Sequence, residues 1–436
     1  MEITTLVIFT LVIVISLLTM GVPLPFCFGG GLMFMATAGD VTMKGMMMWG
    51  LNQITNPVIL CVPLFIFAGS LMSESGIAES LLDFVNVFVG RIKGGLGVVA
   101  AVSCAIIGAI SGSGLTGIAA TGPILIPRME KEGYPRGYAT ALVTDSSILG
   151  LLIPPSVTMI VYGWVTETSI LACFLSTVGP GILITILFSV VNLVWARKFP
   201  LVLEAELKGK ERRDFVVSRT WKALPALLMP FIILGGIYGG IMTPTEAAAT
   251  AAVYAIPVGF FVYRGLTFKT FYNVAKESGT AVGAIMIMIL FCLMMSQTFV
   301  MMQVPQAIVK TLFGITQNKV ILLILINFLL FIVGMIVNDI TGIILVAPLL
   351  LPLVTAIGID PIQFAAIIGV NLAMGGVTPP YASILYLGMR VGKVEFTEIL
   401  RPAMTFLVLG YVPVVFLTSF WPDLSLYLPR VMGLLK

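Results

Sequence analysis

Two stretches of this chain, Ile107–Pro155 and Val333–Pro380, share one pattern of glycine, proline and hydroxyl residues. The first holds Ser111-Gly-Ser-Gly-Leu-Thr-Gly117, Pro123, Pro127 and Gly150-Leu-Leu-Ile-Pro-Pro155; the second holds Gly334, Asn338-Asp-Ile-Thr-Gly342, Pro348, Pro352 and Gly375-Gly-Val-Thr-Pro-Pro380. A shift of 225 residues without a gap lays Thr116-Gly-Ile118 on Thr341-Gly-Ile343, Gly133 on Gly358, Gly150 on Gly375 and Pro154-Pro155 on Pro379-Pro380. Twelve of the 48 positions from Thr116 to Gly163 are identical in this register. Glycine and proline fix what the backbone can do, so their coincidence points to a duplication of roughly half the chain.

The material between these marks is apolar. Hydrophobic residues make up 59% and charged residues 10% of the chain, against about 25% charge in a soluble domain. Many runs approach the roughly 20 residues of a membrane span, and lipid tolerates no unpaired backbone, which predicts an all-α polytopic membrane protein in the bilayer. The first run, Leu6–Met20, is preceded by Glu2 and no basic residue; it reads as a retained helix and not a cleaved signal. The net charge of +4 then belongs to loops and topology, with no nucleic acid as partner. The cysteines at 27, 61, 104, 173 and 292 lack ligand spacing and read as packed thiols. Histidine is absent, which removes His-ligated haem or zinc and any Ser-His pair. With no Gly-X4-Gly-Lys-Ser loop there is no ATPase motor, and neither an organic cofactor nor an enzymatic activity is expected.

Each half divides into seven apolar segments. The segment 115–127 is too short to span, and joined to 95–110 through Ser111-Gly-Ser-Gly114 it makes a re-entrant hairpin. The predicted organisation is two repeats, each of five crossings plus one hairpin. Residues 1–200 hold hairpin 95–128 and broken helix 138–164. Residues 201–222 form a basic cytoplasmic linker, and 223–436 hold hairpin 320–357 and broken helix 364–389. Five is odd, so the second repeat is inverted relative to the first. Placing both termini outside leaves 19 of the 24 basic residues inside, in keeping with the positive-inside rule. Residues 73–89, with Glu74, Glu79 and Asp83 amid apolar positions, read as an amphipathic surface helix.

A helix broken at Gly150–Pro155 frees carbonyls in mid-membrane, and the Ser111–Gly114 tip adds hydroxyls. Tip and break together form an oxygen cage suited to a cation, and Gly334–Gly342 with Gly375–Pro380 forms a second. Helix N-termini after these breaks favour an anion between the cages, the pattern of secondary transporters. Asp339 is the better-placed carboxylate; Asp145 alternatively stabilises a helix N-terminus. Thr116 and Thr341 match across the repeats and read equally as helix caps. Ser113, Ser146, Ser147, Thr158, Asn338, Asn371 and Ser383 are candidates for the substrate cavity, with helix-to-helix polar packing as the alternative. An intramembrane aspartyl protease lacks its Gly-X-Gly-Asp context here; a channel differs from a transporter by the absence of saturable, ion-coupled uptake.

The Ser-Gly-Ser-Gly tip, the Pro-X-X-X-Pro arms, both Pro-Pro breaks, Thr243-Pro-Thr-Glu246 and Gly21-Val-Pro-Leu24 resemble the large membrane subunit of tripartite ATP-independent periplasmic (TRAP) transporters over essentially the whole chain. The resemblance implies the ion-transporter-superfamily elevator fold, in which hairpins and broken helices move against scaffold helices. It implies a bacterial inner-membrane location, sodium symport, a periplasmic binding protein that delivers the solute, and a small four-helix subunit expected as a separate polypeptide. Carried onto matching positions, its sodium sites fall on Ser111, Gly150, Ile153 and Pro155 for one Na+ and on Gly334, Gly375, Thr378 and Tyr381 for the other. Among the family's branches the chain looks most similar to sialic acid transporters, with a C4-dicarboxylate or another organic acid as the alternative solute.

Overall fold

The computed structural model describes residues 3–39, 42–89, 92–202, 209–380 and 382–435, and every regular element among them is helical. The first half contains α1 (Ile3–Thr19), α2 (Leu24–Ala38), α3 (Met43–Ile54), α4 (Cys61–Ser75), α5 (Ile77–Val89), α6 (Gly95–Ser111), α7 (Gly114–Glu132), α8 (Arg136–Ser147), α9 (Val157–Val165) and α10 (Ile170–Ala196). The second contains α11 (Gly209–Tyr238), α12 (Pro244–Pro257), α13 (Phe268–Met301), α14 (Val304–Ile315), α15 (Lys319–Ile336), α16 (Asp339–Ala356), α17 (Pro361–Gly376), α18 (Ser383–Gly392), α19 (Phe396–Phe406), α20 (Val412–Phe420) and a closing α21 (Asp423–Val431).

These boundaries follow local chemistry. Between α6 and α7 only Gly112 and Ser113 leave the helix, and Gly112 takes φ 63°, where a side chain would be strained. At the other tip Asn338 starts α16 by accepting the Thr341 amide on its side chain at 2.9 Å. Thr243 and Glu246 form a reciprocal capping box at α12. The 225-residue register carries the ends of α6 and α7 onto those of α15 and α16 to within one residue. It fails at α13, one helix of 34 residues where the first half has the separate α3 and α4.

Seven helices among the described residues are long and apolar enough to cross a membrane; α4 and α5, bent by 69° at their junction, make either an eighth, broken span or a re-entrant loop. The short second arm expected of each hairpin holds differently in the two halves. Helix α7 has the 19 residues of a span but not its hydropathy, because Arg128, Glu130, Lys131 and Glu132 close it, whereas α16, with 18 residues and only Asp339 charged, passes as one. The linker expected at 201–222 is partly helical, since α11 begins at Gly209; residues 203–208 lie outside the described set. The α4–α5 bend falls on Gly76 at φ 86°. Helix α5 buries Ile77, Ala78, Leu81, Leu82 and Val85 against α6 and α11. On its polar side Asp83 accepts from Arg128 of α7 at 2.8 Å and from Arg219 of α11.

The hairpins and broken helices of the two halves interleave. Helix α18 packs on α7 and α8, α9 on α16, and α10 on α17. Around this group stand α1–α5 and α11–α14, which meet it chiefly through α5 against α6, α4 against α6 and α7, and α13 and α14 against α16. One hydrophobic cluster runs through both groups.

Candidate functional site: a cavity between two helix tips

Each hairpin meets its own helix break backbone to backbone. A Cβ added to Gly108 on α6 would lie 2.3 Å from the Gly150 Cα, and one added to Gly375 would lie 2.5 Å from the Gly334 Cα. No side chain fits at these contacts, so the glycines bring the main chain of each break against the arm of its hairpin. The first break is a 3-10 turn, Ile148–Leu151, followed by an irregular stretch to Ser156. The second follows α17 directly. Both Pro-Pro bonds, 154–155 and 379–380, are cis.

Of the residues assigned to the first sodium site, Ser111 and Pro155 flank one point: a Cβ on Gly112 would lie 3.3 Å from the Pro155 carbonyl oxygen. The Ser111 hydroxyl donates to the carbonyls of Gly108 and Ser113 at 3.4 and 3.3 Å, leaving lone pairs free to accept or ligate. Gly150 joins through Gly108, whereas the Ile153 side chain turns away to pack on Gly181. At the second site Gly334 and Gly375 touch, and the Thr378 hydroxyl donates to the Met374 carbonyl at 2.8 Å. Tyr381 lies outside the described residues. One freed carbonyl is not available to an ion. Leu151 oxygen accepts from Ser156 Oγ at 2.5 Å and from Thr158 Oγ1 at 3.2 Å, so Thr158 serves the break and not the cavity.

The two tips open into one cavity of about 350 Å³, lined by Ser113 and Thr116 from the first and Asn338 and Asp339 from the second. Its outer walls are α4, with Ser70, Ser73 and Glu74, and α13, with Glu277 and Ser278. Gly69 of α4 admits the first tip, since a Cβ there would lie 2.7 Å from Ser111 Cβ and 2.9 Å from Thr116 Cγ2. Ser70, Ser73, Glu74, Glu277 and Ser278 were not among the sequence candidates. Ser70, Ser73 and Glu74 share one face of α4 at spacings of three and four residues, and Glu277 and Ser278 share one face of α13 with Val274 and Ala281, which is the signal that marks them.

Six other sequence candidates do not line this cavity. Asn371 belongs to a structural network: its Nδ2 donates to Asn327 Oδ1 at 2.7 Å and to the Ile367 carbonyl, and Asn327 in turn bonds Ser419. Asp145 and Ser146 sit at the C-terminal end of α8, fully buried, and their side-chain oxygens have no partner among the described residues; Asp145 therefore caps no helix N-terminus. Thr341 is buried with its hydroxyl likewise unpartnered. Ser147 bonds back to the Thr144 carbonyl, and Ser383 merely begins α18.

Residues 11–423 match the family described as the DctM component of tripartite ATP-independent periplasmic transporters. The ectoine/5-hydroxyectoine TRAP transporter large permease of Ruegeria pomeroyi is 34% identical over 97% of both chains. The sialic acid TRAP transporter large permease of Vibrio cholerae is 34% identical over 87% of this chain and 88% of its own. An isethionate TRAP permease of Oleidesulfovibrio alaskensis is longer: it is 32% identical over 94% of this chain, which spans 64% of that protein. Among solved structures the YdaH transporter of Alcanivorax borkumensis is similar in fold, with a TM-score of 0.59 at 15% identity over 87% of this chain and 88% of that one. A multi-pass helical chain whose two matching helix tips share one cavity, and whose sequence matches this family from near one end to near the other, belongs to the large membrane subunits of the TRAP transporters.

Proposed function

We propose that the chain carries out sodium-coupled uptake of a small organic acid across the bacterial inner membrane. A periplasmic binding protein delivers the solute, and a small four-helix membrane subunit works beside the chain. Both termini lie on the periplasmic side. The observation that carries this reading is the single cavity shared by Ser113, Thr116, Asn338 and Asp339, flanked on each side by a glycine contact between hairpin and break. Freed main-chain oxygens and hydroxyls beside a solute cavity suit a hard cation such as Na+, and helix N-termini at the tips suit a carboxylate. The interleaved hairpins and broken helices of two inverted repeats would move as one body, an elevator, against α1–α5 and α11–α14. Sialic acid is the solute that the resemblance puts first, with a C4-dicarboxylate second.

Reconstitution of the chain with its small subunit and binding protein in proteoliposomes tests this. Uptake of the labelled solute should require an inward sodium gradient and all three components. Equal uptake with potassium replacing sodium on both sides would sink the coupling, and current without saturable uptake would mark a channel.

A further inference from the structure

The cavity between the tips is charged in one sense only. Its lining includes Glu74 on α4, Glu277 on α13 and Asp339 at the start of α16, and no lysine or arginine. Neither Glu74 nor Glu277 is in an ion pair among the described residues. Lys276 precedes Glu277 in sequence but lies about 100° around the helix and is absent from the lining. Beside Glu277 the hydroxyl of Ser278, 4% exposed, lines the same cavity with no partner among the described residues. A buried hydroxyl without a partner is costly unless a ligand completes it.

The tip side of the cavity has the opposite character. Helix α7, 19 residues long, starts at Gly114, and the Ser113 side chain makes no capping bond. Its first-turn amides therefore face the cavity as donors, with the positive end of the helix dipole behind them. At α16 the cap position is already filled by Asn338, and Asp339 supplies a negative charge. The cavity is thus lined by free main-chain donors at Gly112–Thr116 and by the carboxylates of Glu74, Glu277 and Asp339.

We infer that the solute is a zwitterion, with a positively charged nitrogen group beside its carboxylate. The carboxylate meets the α7 N-terminus with Ser113 and Thr116, and the cationic group lies between Glu74 and Glu277 within reach of Ser278. A dianion would set its second carboxylate against three acids with no base to offset them, and a sugar acid would leave those acids unmatched. The inference rests on the transport reading and narrows its solute away from sialic acid and dicarboxylates.

The test uses the purified full-length chain in sodium buffer at pH 7, with thermal unfolding followed against ectoine and glycine betaine on one side and succinate and N-acetylneuraminate on the other. A zwitterion should raise Tm in a saturable way while the anions leave it unchanged. Both E74Q and E277Q, at exposed positions, should keep the unliganded Tm and weaken zwitterion binding about tenfold, a loss of one charge partner. Tighter binding of either anion overturns the inference, as does a flat response to both zwitterions. Variants that shift only the half-saturating sodium concentration overturn it too, by assigning the acids to the cation path. Sodium-driven uptake of an anion by the whole complex would remove this inference and keep the transport reading; no sodium-driven uptake of either class would remove the reading itself.

Discussion

The two hairpin-and-break units are built on one register and finished differently. Both use a glycine pair to bring break and arm together. In the first, the chain leaves α8 through a 3-10 turn, and Ser156 and Thr158 occupy the Leu151 carbonyl. In the second, α17 runs straight to Gly376, and Thr378 donates back to Met374. The first tip is uncapped, whereas the second is capped by Asn338 and carries Asp339. At register-matched positions Ser146 is orphaned while Asn371 anchors a network. The shared register keeps the glycine and proline positions that the backbone needs while the polar groups differ in role, so the cavity between the tips is asymmetric.

The two units should differ most at their glycine contacts. Gly108→Ala puts a methyl 2.3 Å from backbone, whereas the nearest atoms to a Cβ on Gly334 are at 3.1 Å. The first should cost about 3 kcal/mol and the second about 1 kcal/mol, read as a larger fall in Tm; equal falls would mean that the two contacts are equally tight. Next, Asn371→Ala removes two donated hydrogen bonds and should cost about 2 kcal/mol. Its register partner Ser146, already unpartnered, should accept alanine within about 0.5 kcal/mol, and chemical unfolding of both variants decides between them. In uptake, Asp339→Asn should lower the initial rate about tenfold, a change of one charge in the cavity. Asp145→Asn, remote from the lining, should stay within about twofold of wild type; the reverse order would move the site to α8. Smallest is the cap difference: Asn338→Ala should lose about 1 kcal/mol of stability, while Ser113→Ala, with no capping bond to lose, should lose almost none.

What could be read from the sequence was what glycine and proline dictate. The hairpin tips, both breaks and the 225-residue spacing rest on residues whose backbone preferences act locally. Helices α3, α14 and α21 gave no comparable signal, being short and mixed in polarity, although the register places α14 opposite α5 and so marks it. The cavity was half legible. Ser113, Thr116, Asn338 and Asp339 stand at the tips and were visible there. Glu74 and Glu277 sit on helices some 200 residues apart, and only packing brings their faces together. Asp145 and Asn371 stand outside the cavity lining, since a polar residue in an apolar segment marks burial as readily as function.

In the proposed mechanism two tip-and-break cages couple sodium to movement of one solute. The initial rate of solute uptake into proteoliposomes, measured against external sodium for the reconstituted complex, tests it most directly. A sigmoidal, saturable rise is expected, with Ser111→Ala and Thr378→Ala each shifting the half-saturating sodium concentration upward. A rate that is independent of sodium, or one that both substitutions leave unchanged, would contradict it.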